Sequence, residues 1–419
     1  MATTSSFDSM LNEYLANDLM MAEYIKRDWA LTNIDVDNSW KLGNLIVPFE
    51  GACASSIEFG QLAASTDIAQ SQYVRGSVTA HKEVWGTLIL NHKDLMNHNG
   101  KIPETTFLRI VPNEADKLLT RMKQTVSVAM LNGAHIAKVT DDTNAATGVM
   151  IVDHVERFTI GQKVTLDDDN SAAADYYVIA VDVNASLAAG SITVSATRGG
   201  AAANVSAYTV AQNAKFYSPG VLSNGSFTSM RDALLSAANG GSASLYGQTK
   251  TAYPYLQAIN SGSVFGASIT ASNILDKLFD FYNSVRIKGQ GNSDTILVSY
   301  KHLGSIMKII ETQKGGFAVT KQPMASRYGW TEIEITSVKG TLKIVGIQEA
   351  DDDVIMFLDM SAFKFYTNGG FKKRQAPDGK EYFEIRATTG YAYVLDFCLF
   401  GELVCLKPNT CGIIHAINY

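Results

Sequence analysis

Histidines are the first residues in this chain whose type and spacing could do chemistry. The chain has 419 residues and seven histidines, and His81, His92 and His98 lie close together in sequence. Zinc peptidases place two histidines four positions apart on a helix, with a glutamate between them. These three histidines do not have that spacing. We therefore expect solvent-facing or locally hydrogen-bonded histidines and no metal site.

Two acidic triplets are the second group, Asp167-Asp168-Asp169 and Asp351-Asp352-Asp353. Clustered carboxylates suit hard cations such as Ca²⁺. Each triplet also falls where a turn between strands is expected, and the first lacks the glycine and distal glutamate of an EF-hand loop. We expect solvated turns, with a lattice-stabilising cation as the alternative.

The remaining motifs of enzymes and cofactor sites are incomplete or missing. The run Lys288-Gly289-Gln290-Gly291-Asn292-Ser293 begins like a dinucleotide fingerprint, but it precedes a strand and lacks the third glycine. The sequence has no Gly-x-Ser-x-Gly elbow, Walker loop or Cys-x-x-Cys pair. We predict no catalytic residue, no cofactor and no enzymatic activity. A β-rich glycan-binding or hydrolytic protein is a distant alternative, but it would need paired catalytic carboxylates or a stacking aromatic face.

Composition narrows the class further. Hydrophobic residues make up 46% and charged residues 18%, so the chain can bury a large core. The net charge is -6, and the sequence has no long run of lysine and arginine that would bind nucleic acid. The N-terminus lacks the features of a signal peptide, and no apolar run is long enough to span a membrane. We expect folding in a reducing cytoplasm, with free thiols that are usually buried at all four cysteines, Cys53, Cys398, Cys405 and Cys411.

The elements that would position any site start with a helix over residues 7–28 and a strand-rich region over residues 57–91. The first half of that region is polar on both faces, whereas Val84, Leu88 and Leu90 alternate with Trp85 in its second half. A two-stranded ribbon with so little apolar surface is marginal alone. We therefore expect it to rest on an adjacent subunit.

A long helix and an inserted β-domain come next. Ala115, Leu119, Met122 and Val126 keep one apolar stripe, which predicts a helix over residues 112–138 with Pro112 in its first turn. Residues 148–217 contain six short alternating runs, one of them at 158–160. They predict a small β-barrel or sandwich inserted into a larger domain.

The rest of the chain predicts a mixed domain and therefore an α+β fold. Helices are expected at residues 228–238, 272–286 and 300–311. Strands are expected at residues 295–298, 330–337, 340–347, 354–359, 363–366, 382–389 and 391–406.

This order of parts resembles the major capsid proteins of tailed double-stranded DNA bacteriophages, which have the Hong Kong 97-type fold, over nearly the whole chain. Four runs are similar to stretches of phage coat proteins that carry an insertion. They are Phe158-Thr159-Ile160-Gly161-Gln162-Lys163-Val164, Met230-Arg231-Asp232-Ala233-Leu234, Tyr253-Pro254-Tyr255-Leu256, and the run from Phe400 to Asn409.

The resemblance implies a division of the chain. Residues 1–50 would form an N-terminal arm, and residues 51–100 the extended loop, whose hairpin matches residues 62–90. Residues 101–147 would carry the spine helix of the peripheral domain, residues 148–217 the inserted β-domain, and residues 218–271 the continuation of the peripheral domain. Residues 272–379 would form the axial domain, and residues 380–419 strands that return to the peripheral domain.

The resemblance also implies a function, which is assembly into an icosahedral shell around packaged double-stranded DNA. Partners would be further copies in pentamers and hexamers, a separate scaffolding protein, a portal, a decoration protein and DNA bound non-specifically, with no membrane. The protein would be in the virion, assembled in the cytoplasm of a bacterial host. An encapsulin-like nanocompartment is the nearest alternative. Candidate subunit-interface residues are Gln70, Gln72, Tyr73, Arg75, Lys82, Trp85, Lys314 and Phe317.

Overall fold

A computed structural model describes the chain at residues 29–41, 43–50, 73–79, 81–91, 104–133, 135–169, 171–183, 190–261, 269–288, 293–313, 332–337, 340–374, 383–387, 390–415 and 417. The expected N-terminal helix at 7–28 lies outside these residues. The chain divides into two compact units. The first unit contains Lys82–Phe227 and Gly369–Phe400, and the second contains Trp29–His81, Thr228–Asn368 and Gly401–Tyr419.

The α-helices differ greatly in length. In chain order they are α1 (Trp29–Asn33), α2 (Glu104–Asn132), α3 (Val221–Asn224), α4 (Met230–Leu234), α5 (Ile274–Lys288) and α6 (Tyr300–Gln313). Among the described residues, these helices include none with the length and apolar content that a membrane span requires.

Strands are numerous and mostly short. The first ten are β1 (Asp35–Asp37), β2 (Leu45–Glu50), β3 (Tyr73–Val78), β4 (Lys82–Asn91), β5 (His135–Asp141), β6 (Val149–Val152), β7 (Lys163–Asp167), β8 (Ala174–Asp182), β9 (Gly190–Ser195) and β10 (Lys215–Tyr217). The others are β11 (Ser244–Leu245), β12 (Gln248–Thr249), β13 (Ile259–Asn260), β14 (Thr295–Ser299), β15 (Glu332–Ser337), β16 (Gly340–Ile347), β17 (Ile355–Leu358), β18 (Phe363–Lys373), β19 (Phe383–Ala387), β20 (Gly390–Cys405) and β21 (Gly412–Ile414).

Helix α2 is the longest helix of the first unit, as the apolar stripe predicted, but its limits differ from the expected ones. It begins at Glu104, ahead of Pro112, and ends at Asn132. Gly133 follows with φ of 103°, a left-handed conformation that commonly terminates a helix. The stripe predicted at Ala115, Leu119, Met122 and Val126 is buried.

The region predicted as an inserted β-domain forms, together with β5, a closed six-stranded barrel in the order β10-β5-β6-β9-β8-β7. Its first strand, β5, lies where the sequence predicted the end of the long helix. Strand β5 pairs with both β6 and β10, so it closes the barrel. The run 158–160 is not a strand. Instead Phe158 is buried in the barrel core, where its ring meets Phe216 edge to face at 5.5 Å between centroids.

The second unit contains a six-stranded sheet in the order β13-β21-β17-β14-β16-β15. Ile274, Leu278 and Phe281 of α5 pack in the same core as Ile296 and Phe357 of β14 and β17. Helices α5 and α6 and strand β14 are where the hydrophobic pattern predicted them. The strand predictions from residue 330 onward correspond to β15 through β20.

The pairing of the early strands differs from the expected hairpin. Strand β2 pairs antiparallel with β3, from Leu45 opposite Val78 to Glu50 opposite Tyr73. Strand β4 pairs with β20, in a five-stranded sheet whose other strands follow the order β1-β18-β20-β19. Lys82 and Trp85 therefore belong to a sheet that also contains C-terminal strands. Part of the expected hairpin, residues 62–72, lies outside the described residues.

Candidate subunit-interface residues

The structure describes four of the eight candidate interface residues, Tyr73, Arg75, Lys82 and Trp85. The other four, Gln70, Gln72, Lys314 and Phe317, lie outside the described residues, as does the expected axial loop around Lys314. The described four separate into two pairs. Tyr73 and Arg75 lie on β3 of the second unit, and Lys82 and Trp85 lie on β4 of the first unit.

The β2–β3 pair is held by a tight turn between β11 and β12. The backbone carbonyl of Tyr246 accepts a hydrogen bond from the amide of Ser77 at 2.9 Å. The side-chain amide of Gln248 donates to the carbonyl of Arg75 at 2.8 Å, while the Arg75 side chain itself is exposed. These two hydrogen bonds hold the backbone of β3.

Tyr246 occupies an unusual backbone conformation for a bulky residue. Its φ is 47°, and Gly247 beside it has φ of 80°, so both central residues of this hairpin turn are left-handed. The Tyr246 hydroxyl donates to the carbonyl of Leu403 at 3.0 Å and accepts from the amide of Cys405 at 2.8 Å. Burial raises the pKa of this phenol well above its usual value, so it keeps its proton.

Close packing at Gly76 joins the strand pair to the same tyrosine. A Cβ at Gly76 would lie 2.6 Å from Cε2 of Phe49 and 3.0 Å from Cβ of Tyr246. The turn thus connects β2 and β3 to the end of β20. Sequence reasoning missed Tyr246 because Tyr-Gly is an uncommon turn dipeptide, and its contacts are far away in sequence.

Strand β4 presents a different surface, because its residues alternate between the two faces of the sheet. Gly86 faces α2, where an added Cβ would lie 2.2 Å from Sδ of Met122. On the other face Trp85 is 46% exposed and Ile89 is 59% exposed. Trp85 meets the ring of Phe400 edge to face at 5.6 Å between centroids. Exposure of two large apolar side chains on one strand face is unfavourable, because water must hydrate their apolar surface.

Lys82 is directed toward the end of the short helix α3, which follows the barrel. Its ammonium donates to the carbonyl of Asn224 at 2.9 Å, and it is less exposed than a free surface lysine. Gly225 makes this approach feasible, since a Cβ there would lie 2.6 Å from the lysine nitrogen. Lys82 therefore has a structural contact within its own chain.

The second acidic triplet is an ion-pair cluster, which corrects the expectation of a solvated turn. Asp351 is 1% exposed, and its carboxylate accepts a hydrogen bond from Nη1 of Arg231 at 3.1 Å. Asp353 binds the same guanidinium with both oxygens, at 2.8 and 3.1 Å. These aspartates raise the pKa of Arg231 against the opposing effect of burial. Arg231 thus pairs with Asp351 and Asp353 of the triplet within the second unit.

The first acidic triplet is also less solvated than expected. Asp168 is 8% exposed, and its carboxylate accepts a hydrogen bond from the amide of Ser171. Within the described part of the chain, no group of three or more His, Cys, Asp or Glu side chains could hold a metal ion. His81 meets the ring of Trp40 at 6.1 Å, whereas His92 and His98 lie outside the described residues. The cysteines at 398, 405 and 411 are free and buried, as predicted.

No protein-family profile and no curated protein sequence matches this chain. A chain of the cyanophage A-1(L) capsid asymmetric unit matches 92% of this chain and 91% of its own length, with a TM-score of 0.52 and 10% identity. A chain of Mycobacterium phage Adephagia matches 93% and 89%, with a TM-score of 0.41 and 11% identity. The holo-SrpI encapsulin of Synechococcus elongatus PCC 7942 matches 93% and 87%, with a TM-score of 0.38 and 7% identity.

The likeness to the cyanophage chain extends over both units of this protein and over nearly all of that chain. The α+β class and the long helix followed by an inserted barrel were predicted from sequence. This chain has the Hong Kong 97-type capsid fold.

Proposed function

We propose that this protein is the structural subunit of an icosahedral shell that encloses the packaged double-stranded DNA of a tailed bacteriophage. The observation that carries the proposal is the fold shared with a cyanophage capsid chain over 92% of this protein. The proposed role is structural and requires no catalytic centre. Its activity is assembly with further copies of the same chain in pentamers and hexamers.

Two described surfaces support assembly. The exposed apolar face of β4, with Trp85 and Ile89, would lose its unfavourable hydration against a neighbouring subunit. The β2–β3 pair would form the base of the extended loop, with residues 51–72 joining its strands. Tyr246 and Gln248 fix that base, so the loop would leave it in a defined direction.

The parts of the fold are assigned on the same proposal. Helix α2 would be the spine helix of the peripheral domain, and the barrel would be the inserted domain. The six-stranded sheet with α5 and α6 would belong to the axial domain. Residues 1–50 would form the N-terminal arm.

The proposed partners follow from a shell of this kind. They are a separate scaffolding protein, a portal and a decoration protein. The DNA would be held without sequence-specific contacts, consistent with a net charge of -6. The protein would be found in the virion after assembly in the cytoplasm of a bacterial host.

Negative-stain electron microscopy of the expressed chain, alone and with its candidate scaffolding protein, tests the proposal directly. Closed shells of uniform diameter are expected. Only monomers or irregular aggregates under both conditions would count against it. Shells isolated from the natural source should contain double-stranded DNA, and an enzyme as their main content would favour a nanocompartment.

Deletion of part of the extended loop tests the interface assignment. A deletion of residues 65–77 would also remove most of β3, so residues 55–68 are the better choice. The shortened chain should stay soluble and fail to form shells. Shells of normal size and yield would show that the loop is not an essential contact.

A further inference from the structure

The first unit contains a cavity of about 460 Å³, and its lining includes two of the candidate interface residues, Lys82 and Trp85. Helix α2 and strand β4 form one side of it, and the start of the barrel and residues 218–227 form the other. A volume of this size is within the range that proteins use to bind ligands or short peptide segments. All of its lining residues belong to the first unit.

Positive charge is concentrated in this cavity. Lys82, Arg121, Arg157 and Lys163 line it, with Glu83 as the acidic member, in a chain whose net charge is -6. Two of the cations bind backbone carbonyls, which carry no formal charge. The Lys82 ammonium donates to Asn224, and Nη1 of Arg157 donates to the carbonyl of Ile136 at 2.7 Å.

Arg157 shows that the site is built into the fold. Its side chain is charged and only 7% exposed, because it is enclosed at the junction of the barrel and the cavity. A buried cation is costly unless hydrogen bonds or negative charge offset its desolvation. The carbonyl of Ile136 and the neighbouring carboxylate of Glu156, whose pKa the Arg157 charge helps to lower, already offset part of that cost, so Arg157 is a structural member of the lining.

Arg121 and Lys163 differ in how much of their charge is already offset. Lys163 forms an ion pair with Asp175 at 2.6 Å. Arg121 is exposed on α2, and among the described residues it has no hydrogen-bond or ion-pair partner. Arg121 can therefore bind a ligand carboxylate without breaking an existing contact.

The rest of the lining mixes polar side chains, such as Gln124 and Thr125, with apolar ones, and the apolar ones decide what kind of anion fits. Leu118, Met122 and Phe227 lie beside the cations, and Met122 and Phe227 are nearly fully buried. A phosphodiester backbone would leave this apolar wall in contact with charge. A peptide can place carboxylates on the cations and apolar side chains on the wall.

We propose that this cavity binds an acidic peptide segment that also carries apolar side chains, supplied by another protein. The segment's carboxylates bind Arg121 and Lys82, and its apolar side chains pack on the partly exposed Leu118. The lining of this site includes no residue of the β2–β3 pair, and it shares Trp85 with the proposed β4 contact. It can be tested whether or not the chain forms shells.

Fluorescence anisotropy of a labelled synthetic peptide that alternates glutamate and leucine provides the assay, with the full chain as receptor. Binding should weaken as salt rises, because exposed charges at the cavity mouth are screened. Arg121→Glu should weaken binding by about tenfold or more, which corresponds to about 1.4 kcal/mol. Arg198→Glu is the matched control, since Arg198 is exposed in the same unit but does not line the cavity. Its affinity should equal that of the parent chain.

Three results would overturn the proposal. The first is equal binding of a lysine–leucine peptide. The second is an equal loss of affinity in both arginine variants, with circular dichroism showing both folded. The third is a single-stranded DNA oligonucleotide that displaces the peptide and loses affinity in Arg121→Glu, which would assign the cavity to nucleic acid. The peptide affinity of Arg121→Ala should lie between those of the parent chain and Arg121→Glu, because the charge at this position decides affinity.

Discussion

Tyr246 stacks on Phe49 with ring centroids 6.0 Å apart and ring planes 14° from parallel. The two residues are nearly 200 positions apart. Phe49 lies on β2, and Tyr246 lies in the turn between β11 and β12. Phe49 is fully buried, although the strand pair that carries it contains exposed residues such as Ile46. This contact, with the hydroxyl bonds of Tyr246, fixes the base of the proposed extended loop.

Tyr246→Phe tests that contact by removing only the hydroxyl. The variant keeps the ring on Phe49 but removes a hydrogen bond to each of Leu403 and Cys405. We expect the free energy of unfolding to fall by about 1–3 kcal/mol, because buried backbone groups lose a partner. Urea denaturation of unassembled subunits measures this change in the free energy of unfolding.

Tyr300→Phe is the control for this change, since Tyr300 is 50% exposed. Its free energy of unfolding should match that of the parent chain within about 0.5 kcal/mol. Similar losses in the two variants would show that the buried hydroxyl contributes nothing specific.

Arg231→Met tests the ion-pair cluster in the second unit. Methionine preserves much of the side-chain volume but removes the guanidinium from Asp351, which is 1% exposed. A buried carboxylate that loses its charge partner typically costs about 3–5 kcal/mol. Thermal and urea unfolding should show a loss of that order.

Arg374→Met provides the comparison, because Arg374 is 57% exposed and lies 3.6 Å from Asp396. An exposed pair contributes less than about 1 kcal/mol. If the two methionine variants were equally stable, burial of the Arg231 cluster would have no energetic consequence.

Trp85→Ser tests the β4 face as a subunit contact. The change removes a large exposed ring that the sheet of the isolated subunit does not need for its core, so the subunit should fold normally. Shell yield in electron microscopy should fall severalfold. Ile160→Ser, at a position 67% exposed on the barrel, should leave the yield unchanged. Normal shells from Trp85→Ser would remove this face from the proposed interface.

How far the sequence predicts this fold is clear from β4 and α2. Alternation of Val84, Trp85 and Leu88 correctly indicated a strand, yet it could not show that the partner is β20, more than 300 residues away. Local patterns favour local pairing, whereas in the structure β4 packs on α2, with Gly86 against Met122. The apolar stripe likewise placed α2 correctly, but apolar residues continue into β5, so the helix end depended on Gly133.

The candidate site was predictable only in part, for the same reason. Arg231 and the acidic triplet at 351–353 were both noted in the sequence, but nothing local connects an arginine to carboxylates 120 residues later. Tyr246 gave no usable signal at all. Arg75 and Trp85 could be named as candidates from the sequence, since both lie in a strand-rich region with few apolar residues for a core.

Lys250→Met tests a buried lysine by its pH dependence. The Lys250 ammonium donates to the carbonyls of Asp232 and Leu235, and burial lowers its pKa to about 8. Between pH 8 and 10.5 the unfolded chain binds a proton that the folded chain has released, so the parent chain gains stability as pH rises. Below pH 8 both states are protonated and this contribution is constant.

The measurement is the difference in free energy of unfolding between the parent chain and Lys250→Met at several pH values. Other titrating groups are common to both proteins and cancel. The difference should shift in favour of the parent chain from about pH 8 upward. A constant difference up to pH 10.5 would mean that the folded lysine keeps an ordinary pKa.

The barrel is expected to fold as an independent unit only when β5 is included. Its core cluster contains Ile136, Ala137 and Val139 from β5, and β5 pairs with β6 on one side and β10 on the other. A fragment of residues 135–217 should therefore show sheet-type circular dichroism and a cooperative thermal transition. A fragment of residues 147–218 lacks β5, which leaves two open edges and an exposed core. It should melt without cooperativity or aggregate, and equal cooperativity in the two fragments would show that β5 is dispensable to the barrel.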